Sequence, residues 1–105
     1  MTNRKVLLVG DHVNFFDANV PLLRGRGYDV RTVDFSRNYE FPSGKFDVVV
    51  VSDLDGWGLP VLSAVHSERK ILYSTFSPQA RLAKKLGCEV YKRSEPITKF
   101  LSGVK

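Results

Sequence analysis

The sequence predicts an α/β protein built on a doubly wound, five-stranded parallel sheet. Short apolar runs of strand length alternate along the chain with segments whose apolar residues recur at helical spacing. The run Val48–Val51 is the clearest of the strands, because four consecutive valines suit a strand that is buried on both faces. The length of 105 residues leaves room for one core, so we expect a single domain over residues 1–105.

The first half of the chain predicts two strands around one helix. The apolar run 5–10 predicts the first strand, and 14–25 predicts a helix. Pro21 predicts a kink or a late start in that helix, because proline lacks a backbone donor. Gly27 favours the left-handed residue that ends a helix. The alternating segment 28–34 predicts a second strand, near the sheet edge.

The middle of the chain is less regular. Residues 35–45 favour at most one or two helical turns, and residues 46–52 predict the third strand. A loop over 53–58 precedes a short helix over 59–67, and residues 70–74 predict the fourth strand.

The next helix has the clearest boundaries of any predicted element. Ser77 is a candidate N-cap, Pro78 suits the first helical position, and Gly87 follows its end. We expect the buried side of this helix to be formed by three apolar side chains: Leu82, Ala83 and Leu86. A fifth strand over 89–92 and a last helix that opens at Pro96 complete the alternation.

Composition and charge narrow the class of protein. No apolar run approaches the ~20 residues that span a bilayer, no signal peptide fits the start, and a lone cysteine excludes an internal disulfide. We therefore expect a cytoplasmic protein with no membrane partner. Residues 1–68 carry a net charge of −2 and residues 69–105 a net charge of +7. That basic third suits an acidic protein surface or a nucleic-acid backbone, or is simply a solvated face.

Polar side chains follow three of the predicted strands at the point where each strand ends. Asp11 follows the first strand, Asp53 the third and Thr75 the fourth. Ligands of open α/β sheets bind outside the carboxyl ends of the strands. Two carboxylates at that edge favour a bound Mg²⁺, and a carboxylate beside such a cation can accept a phosphoryl group. The alternative is that both aspartates only cap helices or form turns.

Four segments, in order and with suitable spacing over essentially the whole chain, resemble the receiver domains of response regulators. The segments are Val-Leu-Leu-Val-Gly10-Asp11 leading to Gly27-Tyr28, Val50-Val-Ser-Asp53, Ile71-Leu-Tyr-Ser-Thr75, and Gly87-Cys-Glu-Val-Tyr91. The resemblance implies a flavodoxin-like, CheY-like fold with strand order 2-1-3-4-5. The second and third helices of this chain are expected to be short, because residues 35–45 favour at most one or two turns and the helix after Asp53 is several residues shorter than in receivers.

The same resemblance implies a role for individual residues. Asp53 would accept a phosphoryl group from a histidine kinase or phosphotransfer protein, and a downstream protein partner would read the result. Asp11, Asp53 and the backbone of Asp55 would bind Mg²⁺. Thr75 and Tyr91 would form the switch that responds to phosphorylation.

The chain departs from the receiver pattern at two places. Gly10 stands where the first residue of an acidic pair is expected, and Ser94 and Glu95 stand where receivers have Lys-Pro. Lys92 and Arg93 are the nearby cations that could contact the phosphoryl group instead.

Three functional hypotheses follow. The first is a stand-alone receiver-like signalling domain, a phosphoacceptor rather than a dedicated enzyme. The second is a pseudo-receiver that binds a protein, or a nucleic acid, through its basic surface over residues 81–99. The third is a small enzyme that uses the cluster of Asp11, His12 and Asp53, although the sequence contains no recognisable arrangement of nucleophile and base.

Overall fold

The computed structural model describes residues 4–11, 13–35, 45–52, 58–73 and 79–92. Within these residues, strands and helices alternate along the chain: β1 (Lys5–Gly10), α1 (Val13–Gly25), β2 (Asp29–Asp34), β3 (Lys45–Ser52), α2 (Gly58–Ala64), β4 (His66–Tyr73), α3 (Gln79–Lys85) and β5 (Glu89–Tyr91). Four predicted features lie outside the described residues: the one or two helical turns over 36–44, the loop over 53–57, the N-cap at Ser77 and the last helix at Pro96.

The five strands form one parallel sheet in the order β2-β1-β3-β4-β5. The predicted parallel sheet and its strand order are therefore confirmed. β1 and β3 lie at the centre and carry the most apolar sequences, so their side chains are buried on both faces of the sheet. This order also brings the end of β1 beside the end of β3, which is the point where the direction of winding reverses.

The helices divide between the two faces of the sheet. We call the side covered by α1 the α1 face, where Phe15 and Leu23 pack onto the even-numbered side chains of β1 and β3. On the opposite face, Val61 and Leu62 of α2 and Ala83 of α3 pack onto the odd-numbered side chains of the same two strands. Both cores are therefore built from alternate residues of the same central strands.

Two helices end in the same way, at a glycine with a positive φ. Gly27 has φ 90° and Gly87 has φ 84°, a region that only glycine adopts without strain. In each case the amide after the glycine donates to a carbonyl five residues earlier, at 3.1 Å for Tyr28 to Leu23 and 2.9 Å for Cys88 to Ala83. The predicted helix ends at Gly27 and Gly87 are confirmed.

The helix predicted over 14–25 is confirmed, since α1 covers Val13–Gly25, and Pro21 lies inside it rather than marking a late start. The boundary predicted between the next helix and the fourth strand is wrong: the helix predicted over 59–67 ends at Ala64, and β4 begins at His66 rather than at Lys70. The amino end of β3 explains this difference, because its backbone groups are paired through the register Lys45↔His66 and Phe46↔Ser67. The predicted shortness of this helix is confirmed, since α2 has seven residues.

The predicted buried side of α3 is also wrong in part. Ala83 is fully buried, but Leu82 is 54% exposed and Leu86 is 66% exposed. Leu82 is adjacent to Ala83 in the sequence and so points about 100° around the helix from it, away from the sheet. Leu86 comes directly after the last residue of α3, Lys85.

Within the part of the chain that the structure describes, no helix combines the length and apolar character needed to cross a bilayer.

Candidate functional site at the carboxyl edge of the sheet

The predicted site residues belong to the edge at which the parallel strands end, which we call the carboxyl edge. Asp11 follows β1 and is half-buried, while Tyr91 is the last residue of β5. Lys92 comes directly after it and is exposed. Three predicted site residues are thus described at the same edge, one after β1 and two at the end of β5, and β3 and β4 lie between these strands.

The other predicted site residues lie outside the described residues: Asp53, Asp55, Thr75 and Arg93, together with His12. Their predicted roles stay predictions. In the sequence, Asp53 directly follows Ser52, the last residue of β3.

The last row of side chains on the α1 face crosses all five strands. The register aligns Gly10 with Asp34, Ser52 with Tyr73, and Tyr73 with Tyr91. Val9 pairs with Val51, so Gly10 and Ser52 are also neighbours in this row. Across the sheet the row therefore reads Asp34, Gly10, Ser52, Tyr73 and Tyr91, with the glycine between the aspartate and the serine.

Phe15 of α1 explains why β1 contributes a glycine to this row. A Cβ on Gly10 would stand 2.6 Å from Cδ2 of Phe15, far inside normal contact. The Phe15 ring is only 5% exposed and its centroid lies 6.0 Å from that of Tyr73. The space in which a side chain at position 10 would begin is thus filled by an apolar ring. The chain's departure from the acidic pair of receivers is built into the packing of α1.

Ser52 is an unusual buried residue in the same row. It is 2% exposed, and its hydroxyl has no hydrogen-bond partner among the described residues. A buried hydroxyl without a partner costs free energy, because the hydration it loses is not replaced. Ser52 immediately precedes Asp53, so this unpaired group lies at the base of the predicted phosphoacceptor loop.

Asp34 is a carboxyl-edge residue that the sequence reasoning missed. It ends β2 beside Gly10 and is half-buried. The rule that selected Asp11 and Asp53 also selects the last residue of the alternating segment Tyr28-Asp-Val-Arg-Thr-Val-Asp34. The signal in the sequence is the aspartate that closes this alternating segment.

The described residues include a ligand of the type that Mg²⁺ prefers, but too few such ligands to complete a site. Asp11 offers the carboxylate oxygen that Mg²⁺ prefers. No group of three His, Cys, Asp or Glu side chains suited to a metal occurs in the described ranges. Gly10 contributes no ligand, so a complete Mg²⁺ site depends on Asp53 and Asp55, which lie outside those ranges.

Tyr91 is held by a polar network on the α1 face of β4 and β5. Arg69 donates from Nε to Oε2 of Glu89 and from Nη2 to Oε1, both at 2.6 Å. The Tyr91 hydroxyl donates to the same Oε1 at 2.8 Å, and it is also hydrogen-bonded to Arg69. The side chains of Arg69 and Glu89 are 27% and 35% exposed. We refer to these three residues as the Arg69–Glu89–Tyr91 network.

The electrostatics of the network agree with its geometry. The hydrogen bonds from Arg69 lower the pKa of the Glu89 carboxyl, against the opposing effect of burial. The same contact raises the pKa of Arg69. Burial raises the pKa of the Tyr91 hydroxyl, and its bond to Glu89 raises it further. At neutral pH the network therefore consists of a guanidinium, a carboxylate and a neutral phenol.

Two further features do not belong to the predicted site. Burial raises the pKa of the Cys88 thiol, which packs beside the core opposite the α1 face, as expected for an unreactive cysteine. A cavity of about 590 Å³ lies at the other end of the sheet, where the strands begin, and includes His66. His66 is predicted on a helix from the sequence but starts β4, so it lies far from the carboxyl edge.

The chain was compared with protein-family models, with curated proteins and with solved structures, and no match was found in any of the three.

Proposed function

We propose that this chain is a receiver-like signalling domain with a flavodoxin-like, doubly wound fold, which accepts a phosphoryl group on Asp53 from a histidine kinase or phosphotransfer protein. The observation that carries the proposal is the strand order β2-β1-β3-β4-β5. That order brings the end of β1, which Asp11 follows, beside the end of β3, which Asp53 follows in the sequence. The position of Tyr91 at the end of β5 supports it further.

The transfer is a displacement at phosphorus. A carboxylate oxygen of Asp53 attacks the phosphorus of a phosphohistidine on the partner, and the new P–O bond forms as the P–N bond breaks. The histidine nitrogen leaves with the electron pair of that bond. Mg²⁺ bound to Asp11, Asp53 and the backbone of Asp55 would offset the charge of the transferred group. Lys92 or Arg93 would supply a cation for the phosphoryl oxygens.

Beryllofluoride with Mg²⁺ tests this proposal, because it mimics an aspartyl phosphate without needing the partner kinase. We expect amide NMR signals of Asp11, Thr75 and Tyr91 to shift in the wild type. Asp53→Asn should abolish the shifts. Asp47→Asn is the matched control, since Asp47 lies on β3 at its opposite end and an asparagine there can still accept the bond from the Lys5 amide. No shift in the folded wild type would contradict the proposal.

A second candidate function is a binding module that never accepts phosphate, and α3 provides the observation that favours it. Leu82 on α3 and Leu86 directly after it are exposed, and the three cations of the helix, Arg81, Lys84 and Lys85, are exposed as well. Exposed leucines among cations suit an acidic protein surface with apolar side chains. They add nothing to the binding of a nucleic-acid backbone, which is recognised by charge.

Salt dependence and substitution separate these partners. Binding to DNA that falls steeply with salt and is lost in Lys84→Glu, but not in Leu82→Ser, would identify a nucleic-acid partner. Acidic protein binding should be weakened by both substitutions. If neither substitution changes the binding of a partner, that partner does not bind this surface. Leu22→Ser on α1 is the control, because it replaces an exposed leucine elsewhere on the molecule.

A further inference from the structure

The Arg69–Glu89–Tyr91 network draws the Tyr91 side chain toward the amino ends of its neighbours. Glu89 precedes Tyr91 by two residues on β5, which is about 7 Å along a strand. Arg69 precedes Tyr73, the register partner of Tyr91, by four residues on β4. Glu89 and Arg69 thus contact the hydroxyl from the side away from the carboxyl edge. Phosphorylation at that edge would act from the opposite direction.

The network also fixes the acceptor itself. Arg69 bonds both oxygens of Glu89 through its planar, two-pronged guanidinium, which restricts the carboxylate more than a single contact does. The Tyr91 hydroxyl both donates to this carboxylate and bonds to the guanidinium. Turning the ring toward the carboxyl edge requires a change of rotamer that breaks these bonds. The Arg69–Glu89 ion pair does not need to break when the Tyr91 ring turns, so the ring can return to the same partners.

We propose that Arg69 and Glu89 are positioning residues that hold Tyr91 in a resting orientation, and thereby set how strongly the carboxyl edge must be modified before Tyr91 responds. This inference rests on the proposed receiver-like function. Tyr91 then exchanges between two states. In one state the pair holds the ring, and in the other the ring has turned toward the modified edge. Weakening the pair favours the second state and, by linkage, tightens the binding of whatever stabilises it.

The first experiment asks whether the pair holds the ring, and it needs no phosphate. The protein is labelled with 3-fluorotyrosine, which reports on its four tyrosines, and Tyr91→Phe assigns the signal of Tyr91. We expect Glu89→Gln to shift that signal and to bring the pKa of the Tyr91 phenol closer to its ordinary value. Glu68→Gln should change neither, because the Glu68 side chain is 75% exposed and pairs only loosely with Arg4, at 3.9 Å. An unchanged Tyr91 signal in Glu89→Gln would overturn the proposal.

The second experiment measures the coupling to the carboxyl edge. The affinity for beryllofluoride with Mg²⁺ is compared among the wild type, Glu89→Gln, Tyr91→Phe and Glu68→Gln. We expect Glu89→Gln and Tyr91→Phe to bind beryllofluoride about fivefold more tightly than the wild type does. The control, Glu68→Gln, should bind it with the affinity of the wild type. Tyr91→Phe leaves the ion pair in place, so it decides the question if Glu89→Gln does not fold. A purely structural pair would lower stability without changing this affinity.

The two experiments distinguish the failure of this inference from that of the proposed function. Binding of beryllofluoride with equal affinity in all four proteins would overturn the inference and leave the proposed function standing. No binding even in the wild type would contradict the proposed function and, with it, the regulatory role of the pair. A shifted Tyr91 signal in Glu89→Gln would then show that the pair holds the ring for another purpose.

Discussion

The α1 face of the sheet has one region that is packed with apolar side chains and another that holds a hydrogen-bonded polar network. In its central region, on β1 and β3, Phe15 covers Gly10, and the Ser52 hydroxyl has no partner among the described residues. At its β4–β5 side, a guanidinium, a carboxylate and a phenol are hydrogen-bonded to one another within 2.8 Å. The comparison teaches that the partly buried charges of β4 and β5 occur together with their partners, because burying an unpaired charge is expensive.

The central region should be the more sensitive to loss of packing. Phe15→Ala removes a ring that is only 5% exposed, so we expect a loss of about 3–5 kcal/mol in the free energy of unfolding. Phe16→Ala is the control, because Phe16 is only partly buried and should lose clearly less. Urea denaturation followed by circular dichroism measures both. Equal losses in the two variants would mean that Phe15 has no special place at the edge.

Adding a side chain at Gly10 tests the same region from the other direction. Gly10→Ala places a Cβ 2.6 Å from the Phe15 ring, and we expect a loss of about 1–3 kcal/mol. In a Phe15→Ala background the loss should largely vanish, which a double-mutant cycle detects. Gly25→Ala is the matched control, because nothing lies within 4 Å of its Cβ. An unchanged loss without the ring would show that Phe15 is not what excludes a carboxylate here.

The paired region should respond more weakly and should depend on pH. Glu89→Gln removes the charge but keeps the shape, and water still reaches this pair, so we expect a loss of about 1 kcal/mol at pH 7. The pKa of Glu89 is lowered in the folded state, so its contribution is present above the unfolded pKa of about 4.5 and is lost as the pH falls through the lowered folded value.

Thermal denaturation of the wild type and Glu89→Gln between pH 2 and pH 7 measures this difference. The two curves should converge at the acid end, where the wild-type carboxyl is protonated. A gap that stays constant down to pH 2 would assign the loss to packing rather than to charge.

The smallest effect should come from Ser52. Ser52→Ala removes a buried hydroxyl that has no partner among the described residues, so we expect a change between zero and a gain of about 1 kcal/mol. Chemical denaturation detects it. A clear loss of stability would mean that the hydroxyl bonds to a group outside the described residues.

Much of the fold could be predicted from the sequence because the deciding signals are local. The apolar runs of β1 and β3, and the two helix-ending glycines, act through burial and backbone conformation that a few neighbouring residues determine. The start of β4 could not be predicted this way. Residues 66–69 are polar and have no strand pattern of their own, and they are extended because the amino end of β3 needs a pairing partner.

The candidate site, too, has features that the sequence predicted and features that only the tertiary structure decided. The alternation of strands and helices in the sequence placed Asp11 directly after the first strand, and the resemblance to receivers selected Tyr91 within the predicted fifth strand. Tertiary structure decided that Phe15 occupies the space beside Gly10, that Leu82 and Leu86 face outward, and that Arg69 and Glu89 hold Tyr91. Each of these depends on which side chains from distant parts of the chain meet, and Arg69 and Glu89 are 20 residues apart. Local pattern determines where a strand ends, whereas packing and register determine what surrounds that end.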